Sequence, residues 1–167
     1  MATLSDRHLP SVLACAWRIL GDRAEAEDVA QETFVRLLRK APEWRPDGPA
    51  LRSWLLRVAT NLCIDRRRVR ARISPMSDDI ERLEDREKAP LDDDLAIRHA
   101  VRSAVAGLPD RQRAALVLVH FHGFSGQEAA SALGVSAEAV ESLLSRARRR
   151  LRKVLSPHMK NLLEVGL

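Results

Sequence analysis

The chain has 167 residues, 46% of them hydrophobic and 31% charged, which is enough length and apolar content for one ordinary domain or two small ones. Its net charge of +5 is unevenly spread: residues 1–72 carry 14 basic and 9 acidic side chains, residues 73–94 carry 3 and 9, and residues 95–167 carry 11 and 5. Two basic ends around an acidic middle read as two basic modules joined by an acidic connector, and basic modules suit a polyanionic partner.

The apolar period is helical almost throughout and no stretch sustains strand-like alternation, so an all-α fold is expected. A first helix runs from about Leu4 to Leu20 and stops at "GD". Its core, "LPSVLACAWRIL", is too short to span a bilayer and is interrupted by Arg18, and no basic start precedes a long apolar run. Asp22 followed by Glu25 reads as a capping box opening a second helix, with Val29, Ala30, Thr33, Phe34, Leu37 and Leu38 on one stripe. "APEWRPDGPA", with three prolines and a glycine, breaks the pattern. A third helix from about Leu51 to Arg72 turns Leu51, Trp54, Leu55, Val58, Leu62 and Val69 inward. These three helices form an expected first domain, residues 1–72. Cys15 and Cys63 fall inside apolar helical patterns, as small core residues of a reduced, cytoplasmic protein with no disulfide framework and no direct membrane insertion.

Residues 73–94 contain the charged, proline-bearing run "ISPMSDDIERLEDREKAPL" and read as an acidic flexible linker. The second domain, residues 95–167, is expected to hold helices at about 92–106, 110–121, 125–133 and 137–155, separated by "GLP", "HGFS" and "GVS". The tail "SPHMKNLLEVGL" has no assigned place.

In "QEAASALGVSAEAV", Ala130, Gly134 and Val140 occupy the small, glycine and aliphatic positions of a helix-turn-helix. A small residue lets two helices cross closely, glycine permits the turn, and the aliphatic residue anchors the second helix on the first. Projection at about 100° per residue puts Val140, Leu144, Ala147 and Leu151 inside and Glu138, Ser142, Ser145, Arg149 and Arg152 outside. The front of such a helix meets base edges. A carboxylate there, Glu138 or Glu141, can accept a hydrogen bond from a cytosine amino group, while Arg146, Arg148, Arg149 and Arg152 bind phosphates. Glu138 equally suits the positive end of the helix dipole, and the arginine run equally suits a solvated face.

"AEDVAQETFVRLLRK", "LRSWLLRVATNLCIDRRRVRAR" and "LPDRQRAALVLVHFHGFSGQEAASALGVSAEAVESLLSRARRRLRK", in this order, resemble the sigma-70 family of bacterial RNA polymerase sigma factors. The match is narrower with its extracytoplasmic-function group, which keeps only the second and fourth sigma regions. The resemblance covers about residues 8–72 and 95–153 and implies an alternative sigma factor with core RNA polymerase, promoter DNA and an anti-sigma factor as partners. By the same resemblance, Asp28, Gln31 and Glu32 of the pattern DxxQExF dock on the polymerase, with Phe34 in the core. The loop "WRPDGPALRSW" implies capture of a flipped −10 base, with Trp44 as the stacking ring beside Arg45 and Trp54 as a core anchor. Arg57, Asn61, Arg66, Arg67 and Arg68 would follow the melted −10 strand, with Asp65 orienting a neighbouring arginine. Ser142 and Ser145 join the −35 face of the recognition helix. The resemblance also implies a linker that threads toward the polymerase's active-site cleft, where acidic side chains would follow a path shaped for RNA phosphates.

Two departures stand out. Family members usually begin somewhat earlier, which leaves the packing of the first helix open, and "VESLL" stands where many read V-K-S-R-L, which points to an altered −35 preference.

Enzymatic alternatives find little support. His120 and His122 in "HFH" point apart on a helix and lack a third ligand, and no Gly-rich phosphate loop, nucleophile elbow or HExxH occurs. No enzyme, cofactor or metal is expected. The competing classes are a sigma-like decoy that holds an anti-sigma factor without binding promoters, and a dimeric helix-turn-helix repressor.

Overall fold

A computed structural model describes residues 2–43, 50–73 and 93–165, and these contain helices and turns but no strand. Helix α1 (Ala2–Leu20), α2 (Arg23–Lys40) and α3 (Leu51–Ile73) make the first group, with a 3₁₀ turn at Ala41–Glu43. Helix α4 (Asp93–Ala106), α5 (Asp110–Leu116), α6 (Gly126–Leu133) and α7 (Ala137–Val165) make the second. Of the acidic segment 73–94 expected to be a linker, residues 74–92 lie outside the described residues, as do Trp44 and Arg45, while Ile73 ends one helix and residues 93–94 open the next. No helix among the described residues is long and apolar enough to cross a membrane.

Helix α1 buries Val12, Cys15, Ala16, Ile19 and Leu20, a spacing that keeps one side of a 3.6-residue helix inward. Against it lie Ala26, Val29, Ala30, Thr33 and Leu37 of α2 and Leu55, Leu56, Ala59, Thr60 and Cys63 of α3. Alanine and cysteine at so many of these positions let the three axes approach closely. The polar intruders are satisfied: the Thr33 hydroxyl donates to the Val29 carbonyl at 2.7 Å, and Thr60 Oγ1 lies 3.6 Å from Cys15 Sγ. Burial pushes the Cys15 thiol up to about 11, so it behaves as an inert core residue.

Two expected core residues are outside. Leu38 is 53% exposed because it lies one residue beyond Leu37, past the edge of the face that α1 and α3 cover. Val69 is also 53% exposed. Beyond Cys63, α3 buries no apolar side chain and contributes arginines that pair with neighbouring elements instead. Leu56, fully buried, was off the expected stripe because α3 is covered from two sides, by α1 and α2 and by the second group of helices.

The cap at Asp22 forms in half: its carboxylate accepts the Glu25 N–H at 2.9 Å, but the Glu25 carboxylate pairs with Arg70 of α3 rather than returning to Asp22. A complete capping box opens α6, where Ser125 and Glu128 satisfy each other's backbone N–H. The helix expected over 110–121 loosens into a wide π turn at Val117–Phe121. There the His122 N–H reaches the Val117 carbonyl at 3.2 Å and the Phe124 N–H reaches Leu118 at 3.0 Å. The extra residue keeps Val117, Leu118, His122 and Phe124 buried and turns Phe121 outward. Helix α7 passes its expected end and runs through Pro157 to Val165.

The two groups share one core and touch directly. Helix α3 packs on α5 and α6, and α1 meets α4, α5 and the π turn. Arg113, 1% exposed, donates from Nη1 to the Ile19 carbonyl at 2.7 Å and from Nη2 to the Leu108 carbonyl at 3.2 Å. Arg52 donates to the His122 carbonyl at 2.9 Å, and Arg67 pairs with Asp110. Arg18 lies 4.7 Å over the Phe121 ring and Arg102 lies 4.8 Å over the Trp17 ring.

Arg113→Ala is expected to lower stability by about 3 kcal/mol in urea denaturation, because two carbonyls lose a buried donor and a cavity opens. Arg113→Met, which fills the space, should cost about half as much. A second test uses pH. Burial, then the nearby charges of Arg52 and Arg18, lower His122 from 6.5 to about 4. The folded form therefore keeps His122 neutral where the unfolded chain protonates it. Its contribution is present above the ordinary value of 6.5 and is lost as pH falls towards about 4. Urea denaturation from pH 7 to 4 should show a loss of about 2 kcal/mol that His122→Gln removes.

Candidate nucleic-acid interface

The helix-turn-helix is built by α6 and α7. Gly134 adopts φ 63°, a left-handed backbone with open space around its Cβ position, so glycine is required for conformation and not for clearance. The Val135 N–H returns to the Ala130 carbonyl at 3.1 Å, and Ser136 Oγ accepts the Ala139 N–H at 3.1 Å to start α7. Val140 and Ala147 are fully buried, Leu144 is buried and Leu151 packs partly against the core. The expected inner face is therefore the observed one.

The opposite face is open. Glu138, Glu141, Ser142, Ser145, Arg146, Arg148, Arg149 and Arg152 are all exposed. The two carboxylates differ in setting. The backbone N–H of Glu138 and the Ser136 hydroxyl hold the Glu138 carboxyl below the ordinary range, so it serves the start of α7. Glu141 stands one turn further along, clear of that cap. Of the two carboxylates it is the one not engaged at the start of the helix.

On α3, Arg57, Asn61, Asp65, Arg68 and Arg72 are exposed and recur at three- and four-residue spacing, which makes a single polar face. The structure separates Arg66 and Arg67 from that face. Arg66 lies 3.7 Å from Asp28 of α2, and Arg67, with an 11% exposed side chain, is paired with Asp110 of α5. On α2, Asp28 and Gln31 are exposed and Glu32 is half-buried, paired with Arg36 at 2.9 Å, whose hydrogen bond holds the Glu32 carboxyl below its ordinary range. Asp28, Gln31 and Glu32 thus share one outward side. His120 is exposed and His122 buried, so they do not converge. Among the described residues no cluster of three or more His, Cys, Asp or Glu side chains could hold a metal ion.

The contacts between the helix groups were not anticipated. Arg113 heads the apolar run "RAALVLVHF", where a cation directly joined to a buried stretch was the available signal of an internal partner. Asp110 and Arg52 carried no such mark.

Residues 4–73 match the family model for sigma-70 region 2, and residues 98–151 match that for sigma-70 region 4. The chain belongs to the sigma-70 family. It is 35% identical over 156 residues to the ECF RNA polymerase sigma factor SigE of Mycolicibacterium smegmatis, a match that covers 91% of this chain and 60% of that protein. Similarity to the ECF RNA polymerase sigma factor SigL of Mycobacterium tuberculosis reaches 32% over 157 residues, covering 93% and 88%. These relatives place it in the extracytoplasmic-function group of the sigma-70 family. Among solved structures, the sigma factor RpoE of Bartonella quintana, crystallised with the anti-sigma factor NepR, aligns with a TM-score of 0.71 at 26% identity, covering 93% of this chain and 96% of that one. In sigma terms, α2 and α3 belong to region 2, and α6 and α7 form the helix-turn-helix of region 4.

The two α7 charge types make opposite predictions. Arg149→Ala should weaken binding to all duplexes and reduce the salt slope by about one counterion in fluorescence anisotropy titrations. Glu141→Ala should leave that slope unchanged and relax the preference at one base pair by about 1–3 kcal/mol across a randomised duplex library.

Proposed function

We propose that this chain is an alternative sigma factor of the extracytoplasmic-function group, a cytoplasmic, non-enzymatic protein that binds core RNA polymerase and directs promoter-specific initiation. The observation that carries the proposal is the presence of two exposed polar and basic faces on one chain, α3 in region 2 and α7 in region 4, each supported by a buried apolar side. Residues 1–72 act as the polymerase and −10 module, residues 95–167 as the −35 module, and the acidic segment 73–94 as their connection.

In this mechanism α7 enters the −35 major groove. Glu141 accepts from a cytosine amino group, Ser142 and Ser145 make adaptable contacts, and Arg146, Arg148, Arg149 and Arg152 release counterions from phosphates. Asn61 meets base edges of the opened −10 strand, while Arg57 and Arg68 neutralise its backbone. Trp44 stacks on an unpaired base beside Arg45. Arg66 and Arg67 join the strand only when freed from Asp28 and Asp110. Asp28, Gln31 and Glu32 present carboxylates and an amide to the polymerase. RpoE's complex with NepR supports an anti-sigma factor as a further partner.

Purified protein mixed with bacterial core polymerase and a library of genomic promoter fragments is expected to produce specific transcripts, reduced at least about tenfold by Asn61→Ala or Arg149→Ala. Absence of transcripts from folded protein with compatible polymerase would reject promoter recognition. It would favour the decoy that only holds an anti-sigma factor.

A further inference from the structure

We infer that Asp65 of α3 reads sequence, selecting a nucleotide with an exocyclic amino group in the opened −10 strand. This deepens the promoter reading above and rests on it. By resemblance Asp65 was expected to orient a neighbouring arginine, but the arginines next to it are engaged elsewhere, Arg66 with Asp28 and Arg67 with Asp110. Asp65 itself is exposed, and among the described residues it forms no ion pair and no side-chain hydrogen bond. Nor does it serve a helix end. It sits well inside α3 (Leu51–Ile73), out of reach of N-terminal amides like those that hold Glu138.

Position and chemistry carry the inference together. At about 100° per residue, Asp65 lies half a turn around the helix from the fully buried Leu56, which puts it near the middle of the exposed side. Four-residue steps along that side run Arg57, Asn61, Asp65 and Val69, all exposed, with Arg68 and Arg72 in the row beside them. The row thus passes from an amide to a carboxylate to a valine, with cations alongside. Phosphates suit the arginines and repel the carboxylate. In an unpaired DNA strand neither phosphate nor sugar offers a hydrogen-bond donor, so a carboxylate is accommodated on this face only where a base supplies one. Cytosine, adenine and guanine each carry an amino group, and cytosine N4 is a natural partner for a carboxylate. Thymine has no amino group and sets two carbonyl oxygens beside its single ring N–H. One four-residue step advances about 6 Å along the helix, more than the roughly 3.4 Å between stacked bases, so Asn61 and Asp65 meet different nucleotides.

The test uses the full chain bound to bacterial core polymerase and a library of forked duplexes whose single-stranded −10 segment is randomised, with the retained DNA sequenced. Wild type is expected to discriminate against thymine at one position by at least about fivefold. Asp65→Ala should flatten that position alone and leave total retention equal or higher, because a negative charge has left the DNA face. Asp65→Asn should move the preference at the same position to adenine, whose N6 and N7 match an amide. Circular dichroism melting of the three chains checks that they fold alike, as expected for an exposed side chain. A uniform loss of retention in both variants with unchanged base preferences would reveal a residue that only positions its neighbours, and would overturn the inference. Preferences and retention both unchanged would overturn it equally. A wild-type complex that retains no sequence above another would reject the promoter reading itself, and this inference with it, whereas a wild-type preference indifferent to Asp65 removes only the inference.

Discussion

The arrangement of the two helix groups depends on one buried cation. Arg113 reaches from α5 into the end of α1, where the last carbonyls of a helix have no partner along the chain and carry the negative end of its dipole. A guanidinium is suited to that position because it donates in several directions and keeps its charge at any accessible pH. One side chain thus satisfies Ile19 and Leu108 and brings residues 94 positions apart in the sequence into a shared core. An apolar side chain could fill the same volume but would leave both carbonyls without a donor.

The other arginines divide by what surrounds them. Arg52, Arg67 and Arg70 face carbonyls or carboxylates of neighbouring elements and hold packing in place. Arg57, Arg68, Arg148, Arg149 and Arg152 point into solvent. Arg18 and Arg102 lie over the Phe121 and Trp17 rings, covering part of the aromatic surface that otherwise faces water. The basic character of the protein is therefore only partly presented to solvent. Charge counting along the sequence overstates the exposed positive surface, because a paired guanidinium and an exposed one look alike in one dimension.

The inner face of α7 was legible in advance because Val140, Leu144, Ala147 and Leu151 repeat at helical spacing against a partner helix only a short turn away. The Asp22 cap was read correctly, but its reciprocal half was not, since Glu25 found a stronger partner in Arg70, 45 residues away. Leu38 and Val69 were misplaced for a related reason: a periodic stripe shows which side of a helix is apolar, and not how far neighbouring helices extend to cover it. The π turn was invisible because its residues, Val117 to Phe121, are as apolar as the helix they interrupt.

By itself the sequence determined the helical class, the turn at Gly134 and the outward set on α7, which follow from periodicity and short-range backbone geometry, and its motifs carried the resemblance to a two-region family. Only the tertiary structure decided that Arg67 is tied to Asp110, that Arg113 joins the two halves, and that Glu138 caps its helix while Glu141 stands clear. The physical reason is range. Helix faces and caps are set by residues within about one or two turns of each other, whereas the pairing of a buried or bridging charge depends on which distant carbonyl or carboxylate the fold brings to it.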